Sequence, residues 1–250
     1  MNKFFKPFGC SVLVAAALWA IAGQAVGQIV LSPDTKHYGK TYDEWSTAWW
    51  QWALAIPVHA PPFSARVNHP LVDLTGAKCG VGQSGPVWFL GGAFFQAGMP
   101  AVSTIVRNDC SVPSSKALFF PILNIECSIL EGVAFGCADT VQGLRDAVKF
   151  VIDLVSNVAV DVDGVAIPIS SSYRVDSQTK PTFCFTFPPD DILSFIGEGP
   201  FSPGTYCPAV DDGYYVMLAP LPAGPHTIHF HGEIPDFNFT LDVTYNLTVD

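Results

Sequence analysis

Val158-Ala-Val-Asp-Val-Asp163-Gly164-Val-Ala-Ile-Pro168 is the stretch that decides the fold. Two short β-branched runs flank an Asp-Gly pair, and that pair supplies the positive φ angles of a tight hairpin turn. A chain that turns this sharply between apolar-alternating runs is building antiparallel sheet. The same punctuation recurs on both sides. Strands are expected at 87–90, 101–107, 117–125, 182–187, 214–219, 226–231 and 239–249, each β-branched or aromatic and bounded by Gly, Pro or Asp. With 21 Gly, 21 Pro and only 14% charged residues, the composition suits short strands and tight turns.

Two helices interrupt this pattern. Thr41-Tyr42-Asp43-Glu44 has the form of a capping box, so a helix is expected over about 43–56, stopped by Pro57. Trp45, Trp49, Trp52 and Ile56 form one apolar stripe on it, which predicts packing on a core. Trp50 lies off the stripe and is the residue expected to reach a ligand, a sugar face being one candidate. A second helix fits 140–157, with Leu144, Val148, Val151, Ile152 and Val155 on one side, and a short helical turn is expected from Asp190. No βαβ alternation and no fixed-period repeat occurs. The expectation is a mainly β, antiparallel β-sandwich, jelly-roll-like or immunoglobulin-like, with two accessory helices. The proline-rich segment 57–86 is long enough to be a functional loop.

Residues 1–27 read as an address. Lys3 and Lys6 form a positive start, Ser11 to Ala22 an apolar run, and small residues follow, the layout of a cleaved secretory signal peptide. Cys10 precedes the apolar run, so it is not placed as a lipid anchor. Residues 28–250 are then a single secreted or periplasmic domain, with no later apolar run long enough to span a bilayer. The whole chain has 12 basic and 22 acidic side chains, and losing Lys3 and Lys6 takes its net charge from −10 to −12. Such acidity excludes nucleic acid and anionic lipid as partners. The six remaining cysteines read as three disulfides. Six cysteines allow 15 pairings and the sequence does not choose among them; pairing of near neighbours, Cys79–Cys110, Cys127–Cys137 and Cys184–Cys207, is the expectation.

Candidate chemistry concentrates in two strands. In His226-Thr-Ile-His229-Phe-His231-Gly-Glu233, alternation puts His229, His231 and Glu233 on one face, a set able to hold zinc, copper or iron. The motif is similar in part to that of the metal-binding cupins, which space the acid further away and add a histidine downstream. Here a third imidazole would come from His37, His59 or His69, the last two also candidate ligand contacts of the 57–86 loop. The second strand holds Lys116, Asn124 and Glu126. Lys116 and Glu126 could form an acid–base pair, and Glu126 with Tyr173 or Arg174 could serve a metal-free polysaccharide hydrolase or lyase. Pro121 between them threatens the shared register. The turn acids Asp161, Asp163, Asp190, Asp191, Asp211 and Asp212 fit capping and turn formation, or calcium. No nucleophile elbow, phosphate loop or dinucleotide fingerprint is present.

Several blocks together carry a resemblance: Trp49-Trp-Gln-Trp-Ala-Leu-Ala-Ile-Pro57, Gly85-Pro-Val-Trp-Phe-Leu-Gly91, Lys116-Ala-Leu-Phe-Phe-Pro-Ile-Leu-Asn124, Asp212-Gly-Tyr and His226-Thr-Ile-His-Phe. The chain resembles a widespread group of bacterial exported proteins without an agreed activity. That implies a bacterial envelope or extracellular setting and brings no catalytic residue with it. The expected function is an exported, non-catalytic binding protein for a glycan or an envelope protein, with the metalloenzyme and the polysaccharide enzyme as alternatives.

Overall fold

In the computed structural model, which describes residues 29–60, 66–96, 98 and 104–250, ten strands form two five-stranded sheets. The expected leader, Pro61, Pro62 and the start of the 101–107 strand lie outside the described residues. The elements run α1 (Tyr42–Ala55), β1 (Val87–Phe89), β2 (Thr104–Val112), β3 (Ala117–Ser128), α2 (Val141–Asp153), β4 (Ser156–Val162) and β5 (Val165–Ile167). They continue as β6 (Arg174–Val175), β7 (Phe183–Phe187), α3 (Ile192–Ile196), β8 (Gly204–Leu218), β9 (Gly224–Ile234) and β10 (Phe239–Val249). Sheet 1 has the order β1-β3-β8-β6, with β7 also on β8, and sheet 2 the order β2-β10-β9-β4-β5.

The arrangement is a sandwich, with one departure from the expected antiparallel pairing. β1 pairs β3 in parallel, and β2 pairs β10 in parallel. The chain crosses from sheet 1 to sheet 2 and back through β1, β2 and β3, and such a crossover returns a strand in the same direction. The hairpin that decides the fold is present: Asp163 and Gly164 take φ of 53° and 75°, and β4 pairs β5 across them.

Three layers result. Leu118, Phe120, Val216 and Leu218 of sheet 1 meet Ile228, Phe230, Val243, Tyr245 and Leu247 of sheet 2 in the inter-sheet core. The opposite face of sheet 1, with Phe119, Tyr215 and Met217, packs against α1. Sheet 1 is thus buried on both sides, and β3 is almost continuously apolar, whereas β9 and β10 alternate because their outer face is only partly covered. α2 closes one end of the sandwich with Leu144, Val148 and Ile152 beside the Cys127–Cys137 bridge. All three expected disulfides are formed.

α1 starts where the capping box requires. The Thr41 hydroxyl accepts from the Glu44 amide at 3.2 Å, and Glu44 accepts from the Thr41 amide at 2.8 Å. It ends at Ile56, which is extended ahead of Pro57. The tryptophan stripe is buried as expected, but Trp50 is not its exposed exception: only 5% of it meets solvent. Three of the four indoles donate to loop carbonyls, Trp45 to His37, Trp49 to Leu90 and Trp52 to Val81. The indole N–H of Trp50 is buried without a hydrogen bond. It approaches the Tyr215 hydroxyl but misses hydrogen-bond geometry.

Two boundaries differ from expectation for identifiable reasons. α2 stops at Asp153, and β4 begins at Ser156, with Asn157 in a left-handed conformation. β8 extends back to Gly204, so Asp211 and Asp212 lie inside a strand, fully buried, and not at a turn. Cations from distant segments neutralise them: Lys180 pairs with Asp211, and Arg174 forks onto Asp212 at 2.8 and 3.1 Å. Asp161 likewise lies within β4, whereas Asp191 caps α3 by accepting from Ser194 N at 2.8 Å.

Candidate functional site

A bulge in β3 creates the site. The pairing of β3 with β8 shifts between Pro121 and Leu123, so the alternation of side chains reverses there. Before the bulge, Leu118 and Phe120 point to the inter-sheet core. After it, Leu123 takes that direction, and Asn124 turns to the α1 side, where it meets Tyr215. The shared face expected for Lys116, Leu118, Phe120, Asn124 and Glu126 is therefore broken by one inserted residue.

Beside the bulge lies a cavity of about 380 Å³, bounded by α1, the 92–94 segment, β3, α2 and the β9–β10 turn. Trp49, Trp50, Phe94, Ile122, Val151 and Leu241 form its main apolar walls, and among the described residues Asn124 is the single side-chain amide lining it. Phe237 and Phe239, 52% and 40% exposed, stand at its margin. Close packing of backbone shapes the wall. A Cβ at Gly91 would lie 2.7 Å from Trp49, and one at Gly92 would lie 2.7 Å from Leu241.

Arg107 holds that wall in place. This fully buried guanidinium donates to the carbonyls of Asp73, Gly91 and Gly92 and to the Tyr245 hydroxyl, all at 2.7–2.9 Å. Tyr245 in turn donates to Gly91 O at 2.9 Å. His69 is also structural. It is fully buried, its Nε2 lies 2.9 Å from Ala53 O, and its Nδ1 accepts from Leu71 N. Burial pushes its pKa down to about 4, so the ring is neutral and caps a carbonyl of α1. His59 bonds Asp190 through both its backbone amide and Nδ1.

Behind the cavity runs a buried polar network between α1 and sheet 1. Lys180 donates to Ser46 Oγ and Asp211, Tyr215 donates to Asp211 Oδ2 at 3.1 Å, and Asn124 Nδ2 donates to the Tyr215 hydroxyl at 3.1 Å. Tyr215 spends its only proton on Asp211, so it must accept from Asn124. That fixes the amide orientation and leaves Asn124 Oδ1 without a hydrogen bond among the described residues. Burial, reinforced by Asp211, holds the Tyr215 hydroxyl well above its ordinary pKa.

Glu126 lies beyond this network and faces Glu131 and Glu198. Burial and then the neighbouring acids raise the Glu126 pKa well above the ordinary carboxylate range, and burial brings Glu131 to about 7. The acid–base pair expected of Lys116 and Glu126 does not form. Ten residues of strand separate them by about 33 Å, and Lys116 donates instead to Gly85 O at 2.6 Å. Arg174 is occupied by Asp153 and Asp212, while Tyr173 is half-buried in the turn before β6.

The histidine strand forms a different construction on the outer face of sheet 2. Register places Asp161 directly opposite His229, and Asp242 directly opposite His231. His229 contacts Asp161 at 2.8 Å and Asp242 at 3.2 Å. His231 contacts Asp242 at 3.2 Å and Glu233 at 3.1 Å, and Asn157 closes the row on Glu233 at 2.6 Å. Both nitrogens of each ring face carboxylates, and all four contacts are hydrogen bonds only when each ring carries two protons. Partial burial opposes protonation of His229, but Asp161 and Asp242 outweigh it and raise its pKa. Among the described residues, no group of three or more His, Cys, Asp or Glu is placed to hold a metal ion. The row is a ladder of alternating imidazoles and carboxylates.

No protein-family model, no curated protein and no solved structure matches this chain. Sequence reasoning missed Arg107, Lys180 and Asp242. Arg107 and Asp242 lie in apolar-alternating strands and Lys180 in a loop, where each reads as an ordinary surface charge.

Proposed function

We propose that this is an exported, non-catalytic binding protein whose ligand is a small, largely apolar molecule lodged beside the β3 bulge. The cavity of about 380 Å³ carries this reading. It falls within the size range of small-molecule sites, and among the described residues its lining side chains are apolar apart from Asn124. A glycan would bring many hydroxyls to one polar side chain among the described lining residues, so the lining favours an apolar ligand over the sugar expected from the aromatic helix. The leader pattern and the three disulfides support a secreted or periplasmic location. No described helix is long and apolar enough to cross a membrane. The polysaccharide reading has less support, because Glu126 is enclosed by other acids and sealed from solvent.

The test is titration of oxidised mature protein with N-phenyl-1-naphthylamine, a neutral apolar fluorophore, beside Ala93→Trp. Ala93 lines the cavity in a segment without regular secondary structure, so the larger side chain fills space without breaking a helix or strand. Saturable binding that is lost in Ala93→Trp, with near-ultraviolet circular dichroism retained, is the expected result. Absence of binding, or equal binding by the filled variant, would overturn the assignment.

A further inference from the structure

The buried network between α1 and sheet 1 has the parts of a reaction as well as those of an ion pair. Lys180 and Asp211 are 2% and 0% exposed, and their charged groups are in direct contact. Among the described residues, their side chains have two further polar partners. The Ser46 hydroxyl accepts from Nζ at 2.7 Å, and the Tyr215 hydroxyl donates to Asp211 Oδ2 at 3.1 Å. The Phe183 ring covers the ammonium at 5.6 Å.

Glu126 stands directly across the β3–β8 ladder from Asp211. Cβ atoms at such positions lie about 4.5–5.5 Å apart on the same face. Glu126 is sealed from solvent, and its Oε1 has no hydrogen-bond partner among the described residues. Burial, with Glu131, Asp211 and Glu198 as neighbours, raises its pKa well above the ordinary range, so it carries a proton. A lysine, a carboxyl group and a protonated acid therefore converge where solvent does not reach. Contact of this kind turns a bimolecular condensation into a unimolecular one. Exclusion of water removes the reagent that would reverse it.

We propose that Lys180 and Asp211 condense into an isopeptide bond between Nζ and Cγ, with Glu126 as the proton shuttle. The step balances without a further reagent. A proton passes from the ammonium to Asp211 within the sealed pair, leaving an amine and a carboxylic acid. Nζ attacks Cγ, and the Tyr215 hydroxyl steadies the oxygen that stays, Oδ2. Glu126 gives its proton to the departing Oδ1, the Cγ–Oδ1 bond breaks, and water leaves. Glu126 then recovers a proton from Nζ. One ammonium and one carboxylate become one neutral amide and one water, which relieves the cost of two buried charges. The cross-link joins positions 31 residues apart and encloses the Cys184–Cys207 bridge.

Intact mass spectrometry of oxidised mature protein, incubated at neutral pH, tests this. Wild type is expected to be lighter by one water than the sequence with three disulfides. Peptide mapping is expected to place Lys180 and Asp211 in one linked fragment. Glu126→Gln, checked for folding by near-ultraviolet circular dichroism, is expected to keep its full mass. Full mass in folded wild-type protein would overturn the cross-link. So would a missing water that maps to Asp163-Gly164, where a cyclic imide gives the same loss. Condensation of folded Glu126→Gln at the wild-type rate would overturn the role of Glu126 alone. The wild-type mass and map decide the cross-link whether or not the variant folds. Unfolding measurements on this network refer to protein that has not condensed.

Discussion

Asn124 donates to Tyr215 across 3.1 Å, and that contact determines which atom of the amide is free at the cavity. The two residues are not directly opposite one another in the sheet. Tyr215 pairs with Pro121, and Asn124 with Gly213, so the bulge between Pro121 and Leu123 is what turns Asn124 toward the hydroxyl. A Cβ at Gly213 would lie 2.6 Å from Asn124 Cβ. Gly213→Ala is therefore expected to displace Asn124, lowering N-phenyl-1-naphthylamine affinity and thermal stability together. Unchanged affinity in a folded Gly213→Ala protein would show that this relationship does not set the pocket.

Lys180 and Asp211 are both essentially sealed from solvent, and each is the other's ionic partner. Removing one leaves a buried charge uncompensated. Lys180→Met is expected to cost about 3–5 kcal/mol in urea unfolding, and adding Asp211→Leu to recover much of that loss. A single-variant cost below about 1 kcal/mol would mean that water or a shifted ionisation relieves Asp211.

The histidine ladder gives a pH dependence with a defined sign. The folded-state pKa of His229 is raised, so its contribution to stability is complete below the unfolded value near 6.5 and is lost as pH rises through the folded value. Asp161 and Asp242 face this ring directly, with His231 and Glu233 next along the row. His229→Gln is expected to flatten the decline in unfolding free energy between about pH 6 and pH 8. An unchanged slope in the variant would remove His229 from the linkage.

Glu126, Glu131 and Glu198 act in the same direction. Burial raises the folded pKa of each, so stability falls as pH climbs from the ordinary glutamate range through values such as the 7 of Glu131. Glu126→Gln keeps the shape and removes the ionisation. Its expected signature is higher stability than wild type at pH 8, on the order of 1–3 kcal/mol, with little difference at pH 4. Destabilisation at both pH values would assign Glu126 an essential charge.

Cys79–Cys110 spans 31 residues and encloses the 91–94 wall of the cavity. The double variant Cys79→Ser/Cys110→Ser is expected to lose about 2–4 kcal/mol of stability and to bind N-phenyl-1-naphthylamine more weakly. Loss of stability with full affinity would show that Arg107 alone fixes the wall.

Local chemistry determined most of the framework of this protein. The Asp163-Gly164 turn, the Thr41 capping box and the Pro57 stop depend on residues close in sequence, and all are present in the fold. What the tertiary structure decided depends on partners far apart in the chain. Asp211 and Asp212 have the residue types of a turn, yet they lie in a strand because Lys180 and Arg174 bring the opposite charge. His229, His231 and Glu233 do share a face as alternation requires. The register with β4 and β10 puts carboxylates against both histidine rings. Trp50 breaks the stripe as its position in the sequence shows, but whether it meets solvent, core or a cavity depended on the β3 bulge and on the wall that Arg107 holds. Side-chain periodicity shows which way a residue points along its own element. What stands opposite it is set by long-range packing, where the burial of charge and the count of hydrogen bonds decide the arrangement.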